Sequence, residues 1–595
     1  MELFYLEENT EYSTSAASHA APGEQEQMAT NYNSLLRQQL LGLPSRAHTY
    51  NTVVKKRKVR AKGRRPKEPH TVRRRSGNTS PLATASRTYS NMNPMTLLGS
   101  GRLDPFNVYP QDNLPHFLHS VLDHTLNHVL NAYLVSEQPQ HGHKIRSVLM
   151  QEVMSDPLTW YPVMMSGITH YAFVHAQSRA QGSPDDLQAS RSHRLLRLSY
   201  KTQTMAHVRA DLQRNNGVPS DAALLAISTL IAHGSSASDE LAFTQVHEPA
   251  QMRKAFGKGT DMHYYSSVSF EYAHWFSLVR YVNKQRGGLQ GLHWPIMQQA
   301  MLLVDGTVAW RRLEAPNFVS MAPTSVFIGM AVHTPDDEAN AQMRRMLGGL
   351  PLVWRTSPEQ PFAGLYQCLQ HMRTLVVRYN QYQRRLTSRR AGAKPDLNLI
   401  FYTRCLIIHD ILELPVLPTQ GAGMSGIYEV VRHAALAFMQ LVLFPIASSN
   451  DTPRKLLQQM LPLLKTCCKS LADDTTDPDL YHRSSATQKP KEDNNNITVS
   501  GSLMLWAWML AGMLALEHLQ TKQEYHFMDE LSPFVEHMAI KPAKSSWSMV
   551  KCVMETFLWL ESECDGVGQQ WWNYACLWYD ARGRERKEIS QASVG

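Results

Sequence analysis

The chain has 595 residues, 43% hydrophobic and 19% charged, with a formal net charge of +9. That length and apolar content support a core larger than one ordinary domain needs, as one big body or two fused lobes. Seven cysteines, all from Cys368 onward, are odd in number and lack framework spacing; they exclude a disulfide scaffold and fit reduced intracellular thiols.

The first residues, MELFYLEENTEY, carry acid where a secretory signal or presequence would carry positive charge, so neither is expected. Residues 1–90 are rich in Ser, Thr, Asn, Gln and charge. Such a composition buries too little apolar surface to fold, and a disordered arm is expected. One short amphipathic helix is expected around Asn33–Leu43, where Leu35, Leu36, Leu40 and Leu41 recur at helical spacing. Phe4, Tyr5 and Leu6 among Glu2, Glu7, Glu8 and Glu11 resemble an activation-type segment or a solvated tail.

Between Lys55 and Arg75 the arm holds twelve Lys or Arg against one acid, Glu68. The rest of the chain is therefore near neutral, and attraction to a polyanion belongs to this segment. Lys55, Lys56, Arg57 and Lys58 resemble a monopartite nuclear localisation signal, an extended row of cations for acidic pockets on a nuclear import carrier. The plainer reading is a solvated charge run. Lys62-Gly63-Arg64-Arg65-Pro66-Lys67 resembles an AT-hook, with an extra arginine in its core. With Arg73, Arg74 and Arg75, these cations suit non-specific phosphate contact or an A/T minor groove.

From Leu114 onward, apolar residues recur with a helical period between Pro, Gly and Asp/Ser breaks. Helices are predicted over Leu114–Val135, His193–Arg214, His263–Arg286, Phe362–Arg385, Met424–Phe444, Arg454–Leu471, Ser500–Lys522 and Ser545–Trp559. Few segments alternate with period two, so the fold class is all-α. The polar stretch 473–498 is expected to be a disordered loop between the body at 91–472 and a group of C-terminal helices, 499–582, packed on that body. Residues 583–595 are expected to be a disordered tail. Ser502–Leu516 is the most apolar run, but it falls short of the roughly 20 residues a spanning helix wants and lacks a positive N-terminal flank. It reads as a buried core helix, not a membrane span.

Several segments in order resemble the fungal-specific transcription factor-like family. These are LLGSGRLDPFNVYP (Leu97–Pro110), His193–Gln213 followed by SDAALLAISTLIA, the helix from His263 closing in Arg286-Gly287-Gly288-Leu289, and LMLWAWMLAGMLA. The resemblance runs from about residue 91 to 582. It implies a regulatory, middle-homology-like helical body that binds a protein partner of the transcription machinery or an effector. The six closely spaced cysteines of the related zinc-cluster regulators are absent, so the chain lacks that metal-stapled DNA reader.

Other motifs read blandly. His116, His119, His124 and His128 fall on one predicted helix, with His124 and His128 spaced i, i+4 as a metal pair would be; no HExxH glutamate or cysteine accompanies them, and structural roles are favoured. Gly421-Ala422-Gly423-Met424-Ser425-Gly426 matches GxGxxG, but Pro415 and Pro418 precede it where a nucleotide site needs a central strand. It reads as a turn before a helix starting near Met424. His409-Asp410 lies in an apolar helix as a core pair, and the aromatic C-terminus, with Trp559, Trp571, Trp572, Tyr574, Trp578 and Tyr579, reads mainly as core, the alternative being a partner surface rimmed by Arg582, Arg584 and Arg586. No nucleophile, base and stabiliser gather in one motif, so no enzyme, cofactor or metal is expected. The expected protein is a nuclear transcription-regulator-like protein whose arm gives import and loose nucleic-acid contact. The alternative is a cytoplasmic helical scaffold whose arm meets a membrane surface or RNA.

Overall fold

The computed structural model describes residues 116–129, 153–178, 184–234, 270–320, 324–325, 328, 335–350, 361–387, 397–418, 424–445, 451–474, 493–518, 525–537 and 545–592. Among the described residues every regular element is helical and there is no strand, as the apolar period predicts. The helices are α1 His116–His124, α2 Pro157–Ser178, α3 Pro184–Arg214, α4 Asp221–His233, α5 Tyr272–Gln285, α6 Pro295–Arg312, α7 Asp337–Arg345, α8 Phe362–Thr387, α9 Leu397–Glu413, α10 Met424–Phe438, α11 Thr452–Asp474, α12 Asp493–His518, α13 Tyr525–Leu531, α14 Trp547–Met554 and α15 Glu561–Ala592. Two π-helical stretches extend α1 over Thr125–Val129 and α10 over Met439–Leu443.

Local chemistry sets many of these ends. Ser220 caps α4, its hydroxyl accepting from the Ala223 N–H at 3.2 Å, and Asp336 caps α7 by accepting from the Ala339 N–H at 2.8 Å. Pro295 opens α6, where its missing N–H has no intrahelical partner to lose. After α5 the chain turns through Gly287 (φ +71°) and Gly288 (φ +93°), left-handed conformations that a side chain would strain. Leu289 then returns to the core, 4% exposed. Arg286 does more than precede a turn. It donates to the Pro219 carbonyl at 2.9 Å and pairs with Asp221 at 3.3 Å, binding the end of α5 to the start of α4.

One large core runs from Ala172 to Ala575. A smaller one, built on Leu118, Val121, Trp160 and Ile168, joins α1 to α2. α12 is central: Leu503 to Ala511 are fully buried and the helix packs on α10, α11 and α15. The C-terminal helices therefore pack on the body and share its core. The indoles of Trp506 and Trp508 donate to the Leu558 and Leu531 carbonyls at 3.1 and 2.8 Å, which satisfies them inside that core. Gly512 lets Trp571 of α15 lie against α12, since a Cβ at that position would sit 2.0 Å from Trp571 Cε2.

Several expected boundaries are corrected. α15 continues to Ala592, past the end at 582 assigned from composition, so most of the expected 583–595 tail is helical. α12 begins at Asp493 and α11 ends at Asp474, so both helices enter the expected 473–498 loop. The Ser545–Trp559 helix is only Trp547–Met554. The Thr556 and Leu558 carbonyls that follow accept from Gly349 N–H and Trp506 instead of continuing a helical ladder.

All seven cysteines are described and none is in a disulfide. Among the described residues one helical stretch, Met424–Leu443, is long and apolar enough to cross a membrane, and 94% of its apolar window is buried inside the protein. Ser502–Leu516, the run singled out from sequence, is a buried core segment.

Candidate functional site

α10 is apolar and buried along most of its length, yet it carries Glu429, Arg432 and His433. Spacing of i, i+3 and i+4 puts these three side chains on one helix face. The Glu429 side chain is 2% exposed, Arg432 9% and His433 7%. Such burial of charge is tolerated only when each group is paired.

The pairing is nearly complete. Arg432 donates to Glu429 Oε2 from Nε at 3.0 Å and Nη2 at 2.9 Å. Glu429 Oε1 accepts from the Leu417 N–H at 2.7 Å, and the neighbouring Tyr428 hydroxyl donates to the Pro415 carbonyl at 3.1 Å. Consecutive residues of α10 thus hold the strap 414–418 that leaves α9. Pro415 and Pro418 keep this strap out of both helix and sheet, as their missing N–H groups predict. Val416 at its crest is 71% exposed.

His433 Nδ1 lies 2.7 Å from the Glu429 carbonyl. A carbonyl only accepts, so Nδ1 carries the proton and Nε2 is an acceptor. Nε2 faces the side-chain amide of Gln459 at 3.3 Å, which must turn its NH2 toward the ring. Burial, and then the Arg432 charge, push the His433 pKa down to about 4, so the ring is neutral at physiological pH.

Above this cluster opens a cleft of ≈ 680 Å³, walled by the end of α6, the strap, α10 and α11. Its volume lies within the roughly 300–1,000 Å³ of small-molecule sites. Leu414, Leu417, Leu436 and Leu463 give it apolar walls, and Glu314, Glu413, Thr466 and Cys467 are among the other residues that line it. Leu313 turns the chain into that wall in a left-handed conformation, φ +56° and ψ +41°. The conformation costs a non-glycine residue about 1–2 kcal/mol, and strain of this kind concentrates at functional sites.

On α9, His409 donates from Nε2 to the Phe318 carbonyl at 2.6 Å. Asp305 holds the same turn, accepting from the N–H groups of Asn317 and Phe318 at 2.7 and 2.8 Å. His409 thereby supports the core next to the α6 exit, while burial raises the Asp410 pKa to about 6.

Lys55, Lys56, Arg57, Lys58, Lys62, Arg64, Arg65, Lys67, Arg73, Arg74 and Arg75, singled out from sequence, lie outside the described residues. So do the Asn33–Leu43 helix, Leu97–Pro110 and Gly421–Gly423, although α10 does begin at Met424. His124 is buried and pairs its Nε2 with Nδ1 of His170 on α2 at 2.7 Å. Among the described residues no three His, Cys, Asp or Glu converge as metal ligands. Trp559, Trp571 and Trp572 are core residues, whereas half-buried Trp578 stacks under the Arg582 guanidinium at 5.1 Å.

The cleft itself was not anticipated from sequence. Its available signal was Glu429-x-x-Arg432-His433 inside a helix otherwise composed of Val, Ala, Leu and Phe. No protein family, curated protein or solved structure matches this chain.

Proposed function

We propose that this chain is a nuclear, transcription-regulator-like protein in which the basic arm supplies import and loose nucleic-acid contact and the helical body binds an effector in the α10–α11 cleft. The observation that carries this reading is the separation of roles along the chain. Cations are concentrated between Lys55 and Arg75, and the near-neutral body holds an apolar cleft with a buried polar floor. An effector in that cleft would act by binding one state of the body better than another, which is the only way a ligand shifts an equilibrium.

The test of the arm is a fusion of residues 50–76 to a fluorescent reporter. Nuclear accumulation that Lys55→Ala with Lys56→Ala abolishes is the expected result. A diffuse or membrane-bound signal would overturn nuclear import and favour a cytoplasmic scaffold. In parallel, full-length protein should bind duplex DNA with an affinity that falls steeply with salt, and removal of residues 1–90 should abolish that binding.

A further inference from the structure

The floor of the cleft restricts what can sit on it. Both Glu429 oxygens are occupied, Oε1 by the Leu417 N–H and Oε2 by Arg432. A ligand carboxylate would have to draw Arg432 away and leave Glu429 buried without a counter-charge. A ligand ammonium finds no open buried carboxylate: Glu429 is paired, Glu314 at the mouth is held by Arg312 at 2.7 Å, and Glu413, 3.7 Å from His409, is half exposed to solvent.

Neutral groups meet a different situation. Arg432 Nη1 has no partner among the described residues, since only Nε and Nη2 engage Glu429. The Gln459 contact to His433 is long at 3.3 Å, so the acceptor Nε2 is only weakly satisfied. A donor and an acceptor, without net charge, therefore line the base of a cleft walled by leucines. One hydroxyl matches both, accepting from Arg432 and donating to His433.

We infer that the cleft binds an uncharged, mainly apolar small molecule bearing a hydroxyl group, seated with that hydroxyl on Arg432 and His433 and its apolar body against Leu417, Leu436 and Leu463. The inference rests on the effector reading above and adds the ligand's chemistry. It also gives the strap a role. Glu429 holds both Arg432 and Leu417, so a hydroxyl on Arg432 tightens the same network that fixes the cleft's outer wall.

The test uses full-length protein and Nile red, an uncharged apolar dye, followed by fluorescence. The dye is then displaced with 1-decanol, decanoate or decylammonium, which share a chain and differ in the head. Thr466→Trp, at an exposed position on the cleft lining, and Leu463→Trp, deeper in, both narrow the site; circular dichroism confirms that each variant is folded. The expected result is that both variants weaken dye binding at least tenfold and that decanol displaces the dye at a concentration at least tenfold below either charged competitor. Dye binding that a folded Thr466→Trp protein retains in full would overturn the cleft as an effector site. Dye binding that is lost in the variants but displaced best by decanoate or decylammonium would leave the cleft standing and overturn the neutral hydroxyl ligand.

Discussion

Replacing Gly512 with alanine tests the closest helix contact in the core. A Cβ there would lie 2.0, 2.2 and 2.3 Å from Trp571 Cε2, Nε1 and Cδ2, where ordinary contacts are about 3.5–4.0 Å. Trp571 has little room to retreat: it is fully buried, with Trp508 5.1 Å away on one side and Tyr574 stacked at 5.7 Å on the other. Helix propensity alone favours alanine by about 0.8–1.0 kcal/mol, whereas overpacking a filled core costs about 1–3 kcal/mol and more when a large ring must move. Overpacking should win, with a net loss of about 2 kcal/mol. Gly566→Ala is the control: it too lies inside a helix, α15, but its Cβ would meet nothing within 4 Å, so it should stabilise by about 0.4–1 kcal/mol. Urea midpoints followed by tryptophan fluorescence separate the two. A Gly512→Ala protein as stable as the parent would refute the close approach of α12 and α15, and Trp571→Leu should recover part of the loss in the double variant.

Acid should destabilise the fold before its surface carboxylates protonate. Burial lowers the pKa of His233 to about 3, helped by His170 and Arg197, and burial lowers His371 and His433 to about 4. These groups contribute their full stability above the ordinary histidine pKa of about 6.5 and lose it as pH falls toward 4, because the unfolded chain takes up the protons first. Asp410, raised to about 6, works in the opposite direction. A net difference of about two protons near pH 5 predicts a loss of about 3 kcal/mol per pH unit; urea midpoints that stay flat from pH 7 to 5 would contradict it. Asp305→Ala should cost about 3 kcal/mol, since it orphans the Asn317 and Phe318 N–H groups at about 1–3 kcal/mol each. Asp305→Asn, keeping one acceptor oxygen, should cost less, and calorimetry that ranks the two in reverse order would refute the role given to that carboxylate.

Helices with a polar face were legible in the sequence, and so were the buried α10 and α12, but α2 was not. α8, expected over Phe362–Arg385, runs Phe362–Thr387, because its apolar residues keep a clean helical period. In α2, residues 162–170 are buried all round the helix, which leaves no polar face to mark a period, and Pro162 reads as a break. α3 begins at Pro184 and not at His193 because its first turns, PDDLQASR, are polar. At the site, the chemical types are legible along the chain but their convergence is not. Glu429, Arg432 and His433 are local, yet the Leu417 strap, Gln459 on α11 and the Leu313 turn meet them only through tertiary packing.

The thiols distributed through this core make it self-reporting. Cys368, Cys405, Cys467, Cys468 and Cys564 are buried on α8, α9, α11 and α15. Burial pushes Cys405 and Cys468 up to about 12 and Cys467 to about 11, so each stays protonated and inert toward alkylating agents while its helix is seated. Exposed Cys552 reacts from the native state and sets the reference rate. The delay of the others relative to it measures how often each helix leaves the core. Because Cys467 also lines the cleft, its alkylation clock would slow when an effector binds, with no need to know in advance what that effector is.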